Sequence, residues 1–326
     1  MRESQASKVD ALMQRYAGDV PGAAVAVIRD GVASNHVYGY AEFERRERIT
    51  SATNFRLASV TKQFTAAAIL LLIEDGKLSL QDSLRGQFPS LPAATDAITI
   101  RHLLTHTSGL IDYEDVIPES LTRQLHDSDV LILLESQDRT YFAPGTSYRY
   151  SNSAYALLAL IVGQRSGQSF AQFLRARVFQ PLRMDNTVAF EEGISSVSHR
   201  AFGYSENGGQ WQQTDQSQTS AVLGDGGVYS SLDDLAKWDA ALYDERLLKR
   251  SSLQAAFTPA TKTDDPSVEY GFGWRITGET LWHSGETRGF RNVIVRYPQR
   301  KLTVIVLTNR NEPEPYPLAL EIAELS

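Results

Sequence analysis

The chain has no cysteine among its 326 residues, which rules out disulfides, a thiolate nucleophile, zinc ribbons and iron–sulfur sites. The compartment stays open, because cytosolic and exported proteins can both lack cysteine. Excess positive charge is also missing: Lys+Arg 32 against Asp+Glu 39 give a net charge of -7, so there is no footprint for nucleic acid or an anionic membrane. The main apolar run, Phe64 to Ile73, is too short to span a bilayer. The N-terminal stretch Met1 to Lys8 has no apolar core and does not read as a signal peptide. The expectation is a cytoplasmic protein if the sequence is complete, and a periplasmic or secreted one if a leader has been removed. Internal repeats and low-complexity linkers are absent, as are a phosphate loop and Gly-x-Gly-x-x-Gly, so nucleotide chemistry has no support. The Gly-x-Ser-x-Gly elbow is absent too, since Gly145-Thr-Ser147-Tyr-Arg149 fails at its last position.

What is present is an ordinary globular composition, 42% hydrophobic and 22% charged, in a chain long enough for more than one structural unit at about 150 residues each. Val9, Leu12, Met13 and Tyr16 follow a helical period within a helix from about Gln5 to Tyr16. Ala23 to Ile28 reads as a strand, and Asp30-Gly31 turns it into a second strand near Asn35 to Tyr40, a hairpin at a sheet edge. The run from Phe64 to Ile73 is apolar on nearly every side, which predicts a buried helix capped at Gly76. From Ser79 to about Asp215 helix-sized pieces alternate with Pro, Gly and Ser clusters, with helices expected at Thr99 to His106, Val130 to Ser136, Ser153 to Ser166 and Phe170 to Phe179. Ser231-Leu-Asp-Asp-Leu is a helix start with an N-cap serine and an acidic first turn. Strands return at Tyr270 to Ile276, Leu281 to His283, Phe290 to Tyr297 and Leu302 to Thr308, before a helix near Leu318 to Leu325. The pattern predicts a mixed α/β (α+β) fold, an antiparallel sheet flanked by helices. Residues 1–78 and 216–326 would form the sheet domain, with 79–215 as an inserted, mostly helical domain and the active site between them.

Ser59 and Lys62 open the apolar helix. At 3.6 residues per turn they share one face, so the lysine nitrogen can reach the hydroxyl. A serine at a helix start is also what a simple cap requires. His102-Leu-Leu-Thr-His106 has the i, i+4 spacing of a metal pair but carries Leu103 where a zinc protease has glutamate, which favours a structural role. Tyr150-Ser-Asn152 follows the turn at Pro144-Gly145 and precedes a long apolar helix. Trp282-His283-Ser284-Gly285-Glu286 ends a strand, with Arg288 shortly beyond.

Taken together and in this order, Ser59-x-x-Lys62, Tyr150-x-Asn152 and His283-x-Gly285 resemble the three motifs of the serine β-lactamase and penicillin-binding superfamily. Tyr-x-Asn places the resemblance in the class C branch, which also contains esterases, D-aminopeptidases and DD-carboxypeptidases. Leu103 to Gly109, Gly224 to Ser231 and Tyr270 to Trp274 are similar to that branch as well, and the resemblance runs from about Val20 to Asn309. It implies a β-lactamase/transpeptidase-like fold and a serine hydrolase acting through an acyl-enzyme. Ser59 would be the nucleophile, with Tyr150 and Lys62 forming the base and either one as its principal member. Asn152 would orient the substrate, and the backbone N–H groups of Ser59 and Glu286 would form the oxyanion hole.

A free lysine or tyrosine holds its proton to about pH 10, so a base built from either needs burial or neighbouring charge. The third motif departs from Lys-Thr-Gly, because His283 with a reference pKa near 6.5 keeps only a fraction of a lysine's charge at pH 7. That favours esters or amides over substrates recognised by a carboxylate, unless Arg288 replaces the charge. The resulting expectation is an esterase or amidase. A DD-carboxypeptidase, D-aminopeptidase or β-lactamase is the alternative, and a non-catalytic acyl-trapping sensor is the rival class. The partner is a small ester, amide or D-amino-acid peptide, with no nucleic acid and no membrane span. The chemistry requires neither metal nor organic cofactor, and the oligomeric state is not encoded in these motifs.

Overall fold

In the C-terminal third Val293, Val295, Val304 and Val306 alternate with Ile294, Ile305 and Leu307, and a period of two sends each set to an opposite sheet face. The structure, a computed structural model describing residues 5–326, realises this in an antiparallel sheet of eight strands. The part of the leader reading that rests on residues 1–4 lies outside the described residues. In chain order the strands are β1 (Ala23–Arg29), β2 (Val32–Tyr38), β3 (Thr261–Lys262), β4 (Glu269–Tyr270), β5 (Arg275–Thr277), β6 (Thr280–Thr287), β7 (Phe290–Tyr297) and β8 (Leu302–Thr308). Their spatial order is β3-β4-β5-β6-β7-β8-β1-β2, so β1 from the N-terminal side pairs with β8 from the C-terminal side, Ala23 opposite Thr308. The hairpin β1–β2 occupies one edge, as its exposed, polar second strand requires.

One sheet face packs on α1 (Gln5–Leu12) and α4 (Tyr316–Glu324) through Val9, Ala319 and Ile322, with Met13 joining them just beyond α1. The opposite face packs on the larger core built round α2 (Lys62–Glu74), every residue of which from Lys62 to Leu72 is buried. Ala66, Ala67 and Ala68 let neighbours approach closely, while Phe64 fills the gap against Phe179 and Trp238 at ring distances of 5.5 and 4.6 Å. The helix ends at Asp75, and Gly76 takes the left-handed conformation (φ 69°) that a C-terminal cap favours. The second long helix, α3 (Asn152–Ser166), starts where the Ser151 hydroxyl accepts the Ala154 N–H and stops at Gly167 (φ 73°).

Three local expectations change. The stretch expected as one strand from Tyr270 to Ile276 is two, β4 and β5, separated by a turn. Gly273 (φ 77°) presses there on α2 so closely that a Cβ would lie 2.7 Å from the Lys62 carbonyl oxygen. Apolar alternation cannot reveal such an approach. The helix expected over Phe170 to Phe179 keeps α-helical hydrogen bonding only to Leu174 and widens into a π turn over Arg175–Phe179. Between α3 and residue 215 there are also a two-residue strand, Val188–Ala189, and a polar hairpin, Tyr204–Asn207 with Gln210–Gln213, which carries little apolar signal.

Candidate active site

Ser59 lies in a tight 3-10 turn, Ala58–Thr61, that runs directly into α2. Its side chain caps nothing, which removes the simple reading of the serine as a helix cap. Ala58 is forced to φ 49°, a left-handed conformation that costs an alanine on the order of 1 kcal/mol, and this kink presents Ser59 to solvent while its neighbours stay buried. Gly285 of β6 explains how the sheet reaches the turn. A Cβ there would lie 2.0 Å from the Leu57 carbonyl oxygen and 3.2 Å from the Ser59 nitrogen, so only glycine lets the strand pass. Asn292 of β7 fixes the same segment by donating to the Arg56 carbonyl at 2.8 Å. Beside the serine a recess of about 50 Å³ has both Ser59 and Glu286 in its wall.

Lys62 is fully buried and uses all three ammonium donors: to Ser59 Oγ at 3.0 Å, to Asn152 Oδ1 at 2.8 Å and to the Asp225 carbonyl at 2.9 Å. Burying an ammonium is costly unless every proton finds an acceptor, and these three meet that condition while fixing one of them on the serine. Asp225 is held by the segment before it, since the Asp127 carboxylate accepts the N–H groups of Leu223 and Gly224, each at 2.9 Å. Burial pushes the Asp127 carboxyl up to about 6 and, more strongly, that of Asp225 up to about 8. Lys62 opposes the rise at Asp225, while Asp127 and Glu114 add to it. The Tyr113 hydroxyl donates to Asp225 Oδ2 at 2.9 Å.

Tyr150 and Asn152 enter from the start of α3. The loop around Thr105 to Gly109 positions them: His106 (φ 57°) accepts the Ser151 N–H on Nδ1 at 3.0 Å, and its carbonyl accepts the Arg149 N–H at 3.0 Å. His102 instead accepts the Thr99 N–H at 3.2 Å at its own helix start. The two imidazoles of the i, i+4 pair thus serve different backbone donors. The Tyr150 ring lies under Lys62, whose nitrogen is 4.8 Å from its centroid, and the Arg275 guanidinium carbon is 5.5 Å away. Its hydroxyl is buried and has no hydrogen-bond partner. His283 is buried; Tyr270 OH and Nε2 are 3.0 Å apart, and Nδ1 faces the Ser284 carbonyl at 2.6 Å. The carbonyl can only accept, so Nδ1 carries the proton and Tyr270 donates to Nε2. Burial, reinforced by Arg275 and Lys62, holds the imidazole pKa well below its usual value, so His283 is neutral at pH 7. The partial charge expected from a free histidine is gone, and a guanidinium stands near Tyr150 instead, that of Arg275 on the neighbouring strand opposite Trp282.

Ser59, Tyr150, Asn152 and Glu286 share the wall of an open cavity of about 620 Å³, with Arg288 at its edge. Gly285 lies behind this wall and His283 behind Tyr150, at a ring distance of 6.2 Å. Reading by motif missed Glu114, which lines the same cavity and accepts the Asn152 Nδ2 hydrogen at 3.1 Å. Although the side chain reaches solvent, desolvation and the nearby Asp112 carboxyl raise its pKa. Asp112 in turn accepts the Asn152 N–H at 2.7 Å. An Asp-x-Glu a few residues after Thr-Ser-Gly was the available signal, but acidic loop residues are too common to stand out.

A family model described as Beta-lactamase matches residues 6–325. Penicillin-binding protein 4* of Bacillus subtilis (strain 168) is 32% identical over 318 residues, covering 92% of this chain and 70% of that protein. A D-aminopeptidase of Gluconobacter oxydans (strain 621H) is 31% identical over 322 residues, covering 92% of this chain; the chain spans 58% of that relative's length. Among solved structures, the octameric penicillin-binding protein homologue from Pyrococcus abyssi superposes with a TM-score of 0.85 at 27% identity, over 98% of this chain and 77% of that one.

Proposed function

Because the chain belongs to the beta-lactamase family, we propose that it is a serine hydrolase that turns over a small amide, peptide or ester of an amino acid through an acyl-enzyme on Ser59. The observation that carries this reading is the Lys62 ammonium, which is saturated by three acceptors, one of them Ser59 Oγ at 3.0 Å. In the reactive form the Tyr150/Lys62 pair has given one of its protons to solvent, so that Ser59 Oγ attacks the substrate carbonyl carbon while its own proton fills the vacant place on that pair. The Ser59 and Glu286 N–H groups take the developing oxyanion in the recess. The leaving amine or alcohol departs with that proton, and water then cleaves the acyl ester by the reverse relay.

Glu114 narrows the substrate. A carboxylate in the Ser59 cavity, one hydrogen bond from Asn152, is suited to an ammonium group and opposes a substrate carboxylate. With His283 neutral, this favours an acyl group bearing a free amine, in keeping with the D-aminopeptidase relative. The test compares D-alanine p-nitroanilide, its N-acetyl derivative, p-nitrophenyl acetate and a chromogenic cephalosporin. The free amine substrate should be preferred, and Glu114→Gln should remove that preference while keeping ester turnover. Faster cephalosporin hydrolysis would overturn the substrate assignment. A permanent rather than transient acyl adduct in intact mass would make the protein a sensor.

A further inference from the structure

The concave surface continues beyond Ser59. Asn311 lies in the wall of the Ser59 cavity and also in that of a second cavity of about 610 Å³, and on the strand Tyr204–Asn207 Ser205 faces the first while Glu206 faces the second. The second cavity is walled by Arg15, Trp211, Arg310 and the exposed Glu206 and Glu312. Arg310 is only 5% exposed. Its guanidinium carbon is 3.9 Å from the centroid of the Tyr16 ring and 5.4 Å from that of Trp211. One terminal nitrogen donates to the Arg15 carbonyl at 2.8 Å, and Nε is buried with no partner. No carboxylate among the described residues forms an ion pair with it, whereas the buried Arg296 pairs with Asp239 at 2.6 Å. Burial accordingly lowers the Arg310 pKa from its ordinary value.

A buried cation with no paired counter-charge costs stability; the Glu206 carboxylate favours the cation without pairing with it, and aromatic rings offset the cost only in part. A guanidinium stacked on rings keeps an edge free for the paired hydrogen bonds that fit a carboxylate. Arg15 adds a second cation to the same walls. Glu206 and Glu312 do not complete the site, because both are solvated side chains and neither forms an ion pair with either arginine.

We propose that Arg310, with Arg15 and Trp211, forms a remote subsite for the C-terminal carboxylate of an extended peptide whose N-terminal residue is the acyl group delivered to Ser59. This rests on the hydrolase reading and turns it toward oligopeptides, since two adjoining cavities exceed what an amino-acid amide fills. The test uses D-alanyl-(glycine)n peptides of increasing length, each as free acid and as C-terminal amide. At one length and beyond, the wild-type protein should prefer the acid in kcat/KM by about tenfold, the scale of one charge-assisted contact. Arg310→Met should abolish the preference while D-alanine p-nitroanilide turnover stays within about twofold, and Arg310→Lys should restore it in part. Equal acid-to-amide ratios in wild type and variant at every length, or an equal loss on all substrates, would overturn the subsite. Calorimetry of Ser59→Ala protein with the same acid and amide pairs decides the point without turnover: tighter binding of the acid, lost on adding Arg310→Met, supports the subsite even if the hydrolase reading fails, and equal binding of both refutes it.

Discussion

The Lys62 ammonium sits 4.8 Å from the centre of the Tyr150 ring, yet the buried Tyr150 hydroxyl forms no hydrogen bond. The phenol is therefore held in place by its ring, against Lys62, Arg275 and the His106 ring at 4.3 Å, while its hydroxyl is uncommitted. A buried polar group without a partner costs about 1–3 kcal/mol, and sites of reaction are where such a cost is retained.

Tyr150→Phe should accordingly separate stability from turnover. Removing the unpartnered hydroxyl should raise the melting temperature, while kcat falls by about 10²–10⁴-fold, the range for loss of a general base. Calorimetry and ester hydrolysis on one preparation check both; unchanged turnover would leave Lys62 as the base by itself.

Asp225 predicts a pH dependence of stability. Its carboxyl is raised from the ordinary 3.8 to about 8 in the fold, so between those values the folded state holds a proton that the unfolded state has released. Stability must then fall as pH rises through this window and level off above about 8. In Asp225→Asn this contribution is gone, while the amide oxygen still accepts from Tyr113. The melting temperature of the variant relative to wild type should climb from pH 4 to pH 8 and stay constant beyond. A difference that does not vary with pH would show that Asp225 ionises normally.

Asp127 acts at one remove. Its two oxygens each accept a backbone N–H from Leu223 and Gly224, which sets the Asp225 carbonyl against Lys62. Asparagine can accept with one atom but presents N–H to the other donor. We expect Asp127→Asn to lower kcat about tenfold or more and to leave one backbone donor unpaired, a loss of about 1–3 kcal/mol. Asp239→Asn, which breaks the buried pair with Arg296, should lower stability with little effect on kcat; equal kinetic losses in both variants would argue against a positioning role.

Gly285→Ala tests the approach of β6 to the Ser59 turn. The added methyl would overlap the Leu57 carbonyl oxygen, so the strand must move away from Ser59 and take Glu286 with it. The expected result is a loss of at least about 10²-fold in kcat, the scale for one missing oxyanion donor, together with a lower melting temperature. Full activity would place the oxyanion hole elsewhere.

Much of the fold is legible from local pattern. Strands β7 and β8 follow from alternation over Phe290 to Tyr297 and Leu302 to Thr308, and α2 from an unbroken apolar run ending at Gly76. The motifs likewise name Ser59, Lys62, Tyr150 and Asn152, because their chemistry is written in residue type. Glu114, Arg275 and Arg310 carry no such mark, since an acidic loop residue or a strand arginine is ordinarily a solvated group.

By itself the sequence determined which reactive groups the chain owns and which short segments hold them, since periodicity, capping and turn chemistry act within a few residues. Apart from the Ser59–Lys62 contact, which helical spacing already gives, tertiary structure decided what those groups touch. The third acceptor of Lys62 comes from Asp225, 163 residues away, and the neutrality of His283 comes from its burial beside Tyr270 and Arg275. Hydrogen bonding, desolvation and charge act through space over a few ångströms, and spacing along the chain does not report which segments are brought that close.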